Sequence, residues 1–318
     1  MSLDGIDAVF IINLDRSRTR LERMHRQMKA QGIEYERFPA VDGAKLTAQE
    51  LAAVATPFCR RFCTNSTIGC ALSHIGVWRT AAERGLDRVL VMEDDAQLVP
   101  DFKEGVARAL RDVPKDFDVL LLGCVYLCDK NRKYSLGHSL TRFAAPGKLR
   151  DDRRTWGSVF VPEFFGGAHC YVASAKGCAK LLKLIPRANY HIDMDMNHHE
   201  INLYAVSPDL AFQGNLSEST IASFGFPRTL TPLLDCIKDS KRIPTSYYLA
   251  APWAQAGGIR INFWVALFLL IGLLFRRAAA PFVTGFFLAE LLVGGRVLIP
   301  LAVYLAGWGL RAGISRAM

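Results

Sequence analysis

The sequence has no hydrophobic run long enough to be a clear membrane span. The uncharged stretch from Ile261 to Phe275 has fifteen residues. As a helix it would reach roughly 22 Å, against a hydrocarbon core of about 30 Å. The stretch from Ala278 to Gly295 contains Pro281 and Glu290, and the stretch from Val297 to Leu310 has fourteen residues. We expect a peripheral or monotopic tail, with a tilted spanning hairpin and ordinary core packing as alternatives.

A signal-peptide pattern is also missing. The first apolar stretch, AVFIIN, is short, follows no basic segment and precedes LDRSRTR rather than a cleavage site. The part before the tail is therefore expected in the cytoplasm. Together with the tail, this predicts a protein on the cytoplasmic face of the inner membrane.

The eight cysteines do not form the paired pattern of a typical zinc site. Cys59 and Cys63, like Cys124 and Cys128, are four residues apart. A zinc site would more often combine two matching pairs with histidines. We expect buried or free thiols, with zinc as the weaker alternative.

Charge is unevenly spread along the chain, whose net charge is +9. After residue 258 there are six arginines and one glutamate, so the basicity belongs largely to the apolar tail. A positive sign suggests an anionic partner. In a tail of this kind we expect anionic membrane lipids, and no nucleic acid.

Apolar runs alternate with helical patterns from the N-terminus onward. DAVFIINL predicts a strand, SRTRLERMHRQMKAQG a helix and IEYERFPAVDG a second strand. Helices are predicted at IGCALSHIGVWRTAAERG and FKEGVARALRDV, strands at RVLVM and FDVLLLGC, and a strand followed by a helix at GGAHCYVASAKGCAKLLKLIP. Residues 146–157 are expected to form a loop. The order predicts an α/β fold with a mainly parallel sheet flanked by helices.

Polar residues follow three of the predicted strands, in NLDRSRTR, AVDG and EDD. Ligands of open α/β sheets bind beyond the carboxyl ends of the strands, although each group taken alone could be a turn or a helix cap. Adjacent carboxylates such as Glu93, Asp94 and Asp95 repel one another, and a divalent cation removes that penalty. Oxygen ligands suit Mg²⁺ or Mn²⁺, which also bind phosphate oxygens.

These segments, in this order, resemble glycosyltransferase family 25, which includes bacterial lipopolysaccharide-core and collagen galactosyltransferases. The resemblance runs from about Ala8 to Ile221 and is most specific from Gly69 to Asp95. It implies a GT-A fold, a nucleotide-sugar donor and a metal-assisted transfer with Mn²⁺ or Mg²⁺. By the resemblance, Glu93, Asp94 and Asp95 correspond to the family's DxD metal motif; which two of them hold the metal is open, and Asp94 and Asp95 are favoured. The donor would be bound by Asn13, Asp15, Arg16, Asp42, Ser73, His74, Glu93 and Gln213.

The segment HIDMDM supplies the candidate base. If it is extended, His191, Asp193 and Asp195 share one face. An inverting transferase needs a carboxylate to accept the proton of the acceptor hydroxyl. Asp193 matches an acid of the family and is the first candidate, with Asp195 second; a polar turn that caps a helix is the alternative. His198 and His199 are possible third metal ligands.

The sequence thus predicts a transferase domain at residues 1–235, a linker at 236–258 and a membrane-associated helical tail at 259–318. The predicted activity is transfer of a sugar, galactose from UDP-galactose, to a lipid-linked saccharide such as a lipopolysaccharide or surface-glycan precursor. The alternatives are a nucleotidyltransferase or nucleotide-sugar hydrolase that uses the same acids, and a catalytically idle membrane scaffold.

Overall fold

The computed structural model describes residues 3–125, 128, 130, 149–214, 227–237, 244–256 and 259–317. The chain divides into two compact units, one of residues 1–60 and 65–214 and the other of residues 61–64 and 215–318. The domain limits expected from the sequence remain a prediction.

Through residue 214 the chain contains the strands and helices that the sequence predicts, together with shorter elements that it does not. The elements are β1 (Ala8–Asn13), α1 (Arg18–Gln31), β2 (Glu36–Pro39), a 3-10 turn (Gly43–Lys45), α2 (Ala48–Val54), α3 (Pro57–Phe62), α4 (Asn65–Glu83), β3 (Arg88–Glu93), β4 (Ala96–Leu98), α5 (Phe102–Asp112), β5 (Val119–Val125), β6 (Thr155–Trp156), β7 (Val159–Phe160), β8 (Gly166–Ser174), α6 (Ala175–Leu184), α7 (Ile192–Met196), β9 (Leu203–Val206) and β10 (Ala211–Gln213).

A mixed sheet of eight strands, in the order β2-β1-β3-β8-β5-β9-β7-β6, forms the centre of this unit. The pairs β1–β2, β1–β3 and β5–β9 are parallel, whereas β8 runs antiparallel to both β3 and β5. Strand β10 pairs separately with β4. The α/β class is therefore confirmed, and the parallel part ends β1, β2 and β3 at one edge.

Side-chain burial explains the central position of β3, β5 and β8. All seven residues of β5 and the four central residues of β3 are buried, so both faces of these strands are covered. The apolar core under the sheet takes residues from β1, α1, β3, α5, β5 and β8, which include Ile11, Met24, Leu90, Phe102 and Leu120. This core fixes the strand ends that carry the polar clusters.

Two sequence expectations are corrected in this unit. Cys124 and Cys128, expected as thiols, form a disulfide, because their Cα atoms lie 6.0 Å apart, within the range that a disulfide can bridge. Residues 146–157 were expected to be a loop, but Thr155–Trp156 pairs with Val159–Phe160 across a turn in which Gly157 has a φ of 55°. Residues 146–148 of that segment lie outside the described residues.

The second unit contains short elements followed by two long helices. These are α8 (Thr231–Cys236), α9 (Thr245–Ala250), β11 (Ala254–Ala256), β12 (Ile259–Ile261), α10 (Phe263–Leu292) and α11 (Leu298–Ala317). The sequence divides the tail into three stretches, but α10 joins the first two and continues through Pro281. Trp264, Phe268, Phe287 and Tyr304 are among the residues of its apolar core. In the described part of the chain, no helix combines the length and the apolar character that a membrane crossing requires.

Candidate active site

Asp94 is held where two parallel strands end together. Residue 12 of β1 is paired with residue 93 of β3, so Asn13 and Asp94 are neighbours. The Asn13 side-chain amide donates to Asp94 Oδ2 at 2.7 Å. Arg20, on the first turn of α1, donates to Asp94 Oδ1 at 2.9 Å. Burial raises the pKa of Asp94, and Arg20 and Asn13 offset only part of that rise.

A set of charged side chains surrounds the ends of β1 and β2. Arg37 donates to the side-chain oxygen of Asn13 at 3.0 Å and forms an ion pair with Asp15. The hydrogen bond from Arg37 to Asp15 and the positive charge of Arg37 lower the pKa of Asp15. Arg16 forms an ion pair with Asp42, whose carboxylate also accepts from the backbone N–H of residue 44 and so caps the 3-10 turn. The structure thus brings together the four residues that were expected to border the nucleotide.

Ser73 lies next to this set but has both of its hydrogen-bonding functions engaged. Its hydroxyl donates to the Gly69 carbonyl at 2.7 Å and accepts from the Val41 N–H at 2.9 Å. A Cβ on Gly69 would lie 2.4 Å from the Val41 carbonyl oxygen. Ser73 and Gly69 therefore fix α4 against the segment after β2. This contact positions the neighbouring Asp42, one of the candidate donor-binding residues.

Asp95 differs from Asp94 because one of its oxygens has no partner. Among the described residues, nothing donates a hydrogen bond to Asp95 Oδ1, and the residue is 7% exposed. Burial, together with the charges of Glu93 and Asp94, raises the pKa of Asp95 to about 8, and the Gln213 side chain reduces that rise only in part. Gln213 is positioned by the pairing of β10 with β4, in which it lies opposite Ala96. Residues 215–219, which follow shortly after Gln213, lie outside the described residues.

Glu93 is partly exposed and faces helix α4. Its Oε1 lies 3.4 Å from Nε2 of His74, which is fully buried. Burial alone would raise the pKa of Glu93, but the His74 imidazole and the charges of His169 and Arg20 outweigh burial and hold the pKa below its usual value. The pKa of Glu93 is therefore lowered, whereas the pKa values of its neighbours Asp94 and Asp95 are raised. Perturbed pKa values are frequent at functional sites.

Asp193 approaches the acidic cluster from helix α7. Its Oδ2 accepts from the Gly167 N–H of β8 at 2.7 Å. Burial raises the pKa of Cys70 well above its usual value, and the charges of Glu93, Asp193 and Asp95 contribute in that order. The carboxylate of Asp193 is therefore close enough to act on the same thiol as the acids of β3.

The expected extended geometry of HIDMDM is wrong. Residues 192–196 are helical, because His191 starts a turn whose carbonyl accepts from the Asp195 N–H at 3.0 Å. Residues two apart on a helix face roughly opposite sides, so Asp193 and Asp195 separate. Asp195 accepts instead from the Asn189 side chain at 3.1 Å and from the Tyr190 N–H at 2.9 Å.

Several residues of this region were not singled out from the sequence. Arg20 and Arg37 hold Asp94, Asn13 and Asp15, and Cys70 lies beside the acids. Each is a polar or small residue inside a helix or strand, where its pattern resembles an ordinary element face. The signal that could have found Cys70 is its spacing of four from His74, which places both on one face of α4. His198 and His199, considered as metal ligands, have exposed side chains.

Comparison with known proteins identifies relatives for this arrangement. Residues 6–196 match the model of "Glycosyltransferase family 25 (LPS biosynthesis protein)". The chain is 35% identical to mouse procollagen galactosyltransferase 2 over 130 residues, which is 37% of this chain and 21% of that protein. It is 32% identical to a glycosyltransferase 25 family member of Aedes aegypti over 210 residues, or 61% and 32% of the two chains.

One human relative is named as inactive. The chain is 33% identical over 130 residues to "Inactive glycosyltransferase 25 family member 3", and the match covers 37% of this chain and 22% of the relative. The chain spans about a fifth to a third of the length of these curated relatives.

The expected localisation on the cytoplasmic face of an inner membrane is contradicted. The matched relatives include a mouse procollagen galactosyltransferase and a Drosophila melanogaster glycosyltransferase 25 family member, which are animal proteins. The expectation was based on the missing signal-peptide pattern and on the basic, apolar tail, and in that tail α10 continues through the arginine pair at residues 276 and 277.

Proposed function

The chain belongs to glycosyltransferase family 25, and from this membership we propose that it transfers galactose from UDP-galactose to a hydroxyl group of a saccharide. The observation that supports the proposal best is that Asp95 and Asp193 both lie close enough to Cys70 for their charges to raise its pKa. Asp95 is a buried acid just beyond a strand end, and Asp193 is an acid whose carboxylate accepts from a backbone N–H. In the proposed reaction, donor binding needs an acid that can hold a divalent cation, and transfer needs an acid that accepts the proton of the acceptor hydroxyl.

The donor would bind at the carboxyl ends of β1, β2 and β3. Asn13, Asp15, Arg16 and Asp42 lie there, and a parallel β2-β1-β3 edge followed by an antiparallel strand is the basis for proposing a GT-A-like fold. Arg16 offers a positive charge for the diphosphate, and Asp15 and Asp42 offer acceptors for ribose hydroxyls. Glu93, His74 and Gln213 would lie toward the sugar.

The acids of β3 fit a divalent cation, Mn²⁺ or Mg²⁺. Asp95 Oδ1 is buried and receives no hydrogen bond from the described residues, and each oxygen of Asp94 keeps a second lone pair beside its bond to Asn13 or Arg20. Asp95 and Asp94 would hold the ion. When bound, it would supply positive charge to the diphosphate.

Transfer in this proposal inverts the anomeric centre. The acceptor hydroxyl gives its proton to Asp193 as its oxygen forms the bond to the anomeric carbon. The bond between that carbon and the diphosphate oxygen breaks, and its electron pair leaves with UDP. The Gly167 N–H orients the Asp193 carboxylate for this step.

For the acceptor we propose a saccharide that is lipid-linked, as in a lipopolysaccharide or surface-glycan precursor. The description of the family model supports this class, whereas the mouse relative is named for procollagen. Anionic membrane lipids, expected as partners of the tail, depended on the contradicted localisation and are not proposed.

A second candidate function is a catalytically idle protein that keeps the transferase fold. The human relative named as inactive favours its consideration. The presence of Glu93, Asp94, Asp95 and Asp193 together argues for activity instead.

Calorimetry with UDP-galactose, with and without Mn²⁺, tests the donor site in the full chain. We expect binding that requires Mn²⁺ and is lost in Asp95→Asn but retained in Asp101→Asn, an exposed acid at the start of α5. Radiolabelled galactose is then offered with a lipid-linked saccharide or a procollagen peptide. Release of free galactose alone would indicate a hydrolase, and donor binding without turnover on either acceptor would favour the idle protein.

A further inference from the structure

Three potential metal ligands of different chemistry meet between α4 and β3. Cys70 and His74 are one helical turn apart and face the same side of α4. Glu93 ends β3 opposite them. One ligand atom of each, the thiol Sγ, an imidazole nitrogen and a carboxylate oxygen, lies within 4.8 Å of the other two.

His74 has an unpartnered nitrogen that points into this group. The side chain is fully buried, and its Nδ1 lies 2.9 Å from the Tyr171 hydroxyl, which also accepts from the Trp78 indole N–H at 2.8 Å. Nε2 has no hydrogen-bond partner among the described residues, and the nearest Glu93 oxygen is 3.4 Å away. Leaving a buried polar group without a hydrogen bond is destabilising.

The partner of Nδ1 orients the ring as a metal ligand would need. Metal binding requires the lone pair on Nε2, and this holds when Nδ1 carries the proton and the Tyr171 oxygen accepts from both Nδ1–H and Trp78. Metal-binding histidines commonly have their second nitrogen fixed in this way. Trp78 and Tyr171 thus hold His74 with its free nitrogen toward Cys70 and Glu93.

We propose that Cys70, His74 and Glu93 form a binding site for a borderline-soft divalent cation of the Zn²⁺ type. A thiolate, an imidazole and a carboxylate are the ligand types that Zn²⁺ takes, and three protein ligands leave a fourth position open. Mg²⁺ and Mn²⁺ prefer oxygen ligands, so this site differs in chemistry from the carboxylate pair Asp94 and Asp95. It goes beyond the proposed transfer reaction. The site shares His74 and Glu93 with the proposed donor site, but binding of the cation is tested without donor or transfer.

Binding is balanced by the release of one proton. The Cys70 S–H bond breaks as the sulfur–metal bond forms, and the proton passes to the buffer. Cys70 and Glu93 are both partly exposed, so the ion has a path to the site.

Co²⁺ is the probe that reports on this ligand set directly. The full chain is stripped with a chelator and titrated with Co²⁺ in the presence of excess Mg²⁺. We expect one equivalent to bind with a thiolate-to-cobalt charge-transfer band that Zn²⁺ abolishes. The band should be absent in Cys70→Ser and present in Cys178→Ser, a matched change of a buried cysteine in α6. Cobalt binding without a thiolate band, or a band that survives in Cys70→Ser, overturns the proposal.

A second measurement uses the native chain and so does not depend on the folding of a variant. Alkylation of Cys70 is followed by peptide mass spectrometry with and without one equivalent of Zn²⁺, with exposed Cys236 as the internal reference. We expect Zn²⁺ to slow alkylation of Cys70 at least tenfold relative to Cys236. Equal rates with and without Zn²⁺ would contradict the site, whatever the transferase assay shows.

Discussion

Asp95 has a strongly raised pKa, so its protonation should change the free energy of unfolding with pH. Burial and the charges of Glu93 and Asp94 raise its pKa to about 8, far above that of an unfolded aspartate. Between these two pKa values the folded chain holds a proton that the unfolded chain has lost. Stability must therefore fall as the pH rises through this window and level off above it.

We expect the free energy of unfolding, with divalent cations chelated, to decrease between about pH 5 and pH 8 by up to about 1.4 kcal/mol per pH unit. In Asp95→Asn this contribution should vanish, so the variant should gain stability over the wild type as the pH rises. Urea unfolding at several pH values measures the slope, with Asp101→Asn as control. Parallel slopes in the wild type and Asp95→Asn would show that Asp95 is ionised at neutral pH.

Substitutions of Asp193 and Asp195 test which of the two accepts the proton. Asp193→Asn keeps an oxygen for the Gly167 N–H but cannot accept a proton, so turnover should fall by a factor on the order of 10² or more. UDP-galactose affinity should change little. Asp195→Asn should turn over near the wild-type rate, because Asp195 bonds to Asn189 and Tyr190. Calorimetry and initial rates measure both, and the reverse pattern would move the base to Asp195.

Some residues of the candidate site could be placed from the sequence, and others could not. The polar residues at the ends of β1, β2 and β3 could be placed together because parallel strands end at one edge. Arg20 and Cys70 could not be placed, because each lies within a helix and its direction depends on how that helix packs. Their roles follow from the distances to Asp94 and Glu93 in the folded chain.

At the scale of elements, the approach of α4 to the turn after β2 depends on two glycines. A Cβ on Gly69 would lie 2.4 Å from the Val41 carbonyl oxygen and 2.7 Å from the Gly43 nitrogen, and both are backbone atoms. Gly43 is equally constrained, since its Cβ would lie 1.8 Å from the Asn65 carbonyl oxygen. The helix that carries Cys70 and His74 can therefore reach the strand ends only with glycine at both positions.

Gly69→Ala should destabilise the first unit by about 1–3 kcal/mol, because backbone must shift to admit the methyl group. Donor affinity should fall with it, since Asp42 lies beside this contact. Gly285→Ala in α10 is the matched control: its Cβ meets nothing within 4 Å, so the change should be neutral or stabilising by up to about 1 kcal/mol. Urea unfolding and calorimetry measure both. Equal effects of the two substitutions would refute the packing argument.

Elements with long patterns were predictable, and short ones were not. Buried strands such as β3 and β5 and the helix α4 follow from apolar runs and helical spacing. The segment HIDMDM alternates polar and apolar residues over only six positions, which fits a strand, a turn or one helical turn. Its helical form has local bonds, from the Asp195 N–H to the His191 carbonyl and from the Tyr190 N–H to Asp195, and a tertiary bond from the Gly167 N–H to Asp193 that the sequence does not reveal.

At the scale of the whole molecule, the two units have separate apolar cores. The core of the first unit includes residues from Leu3 to Ala211, and that of the second includes residues from Trp264 to Tyr304. Leu230, Leu234 and Leu249 pack against the second core, although they precede residue 259. Charge and hydropathy along the sequence could not reveal this, because these leucines lie in a segment rich in proline breaks.

The separate cores predict where the chain can be shortened. A chain that ends at Gly214 keeps every residue of the first core and the acids Asp94, Asp95 and Asp193, so it should fold, melt cooperatively and bind UDP-galactose with Mn²⁺. A chain that ends at Gly258, where the sequence alone places the start of the tail, keeps Leu230, Leu234 and Leu249 but removes the helices they pack against. It should expose these side chains and aggregate more readily. Circular dichroism, light scattering and calorimetry compare the two. If the chain that ends at Gly258 is monomeric and stable while the shorter one unfolds, residues 215–258 belong to the fold of the first unit rather than to the second.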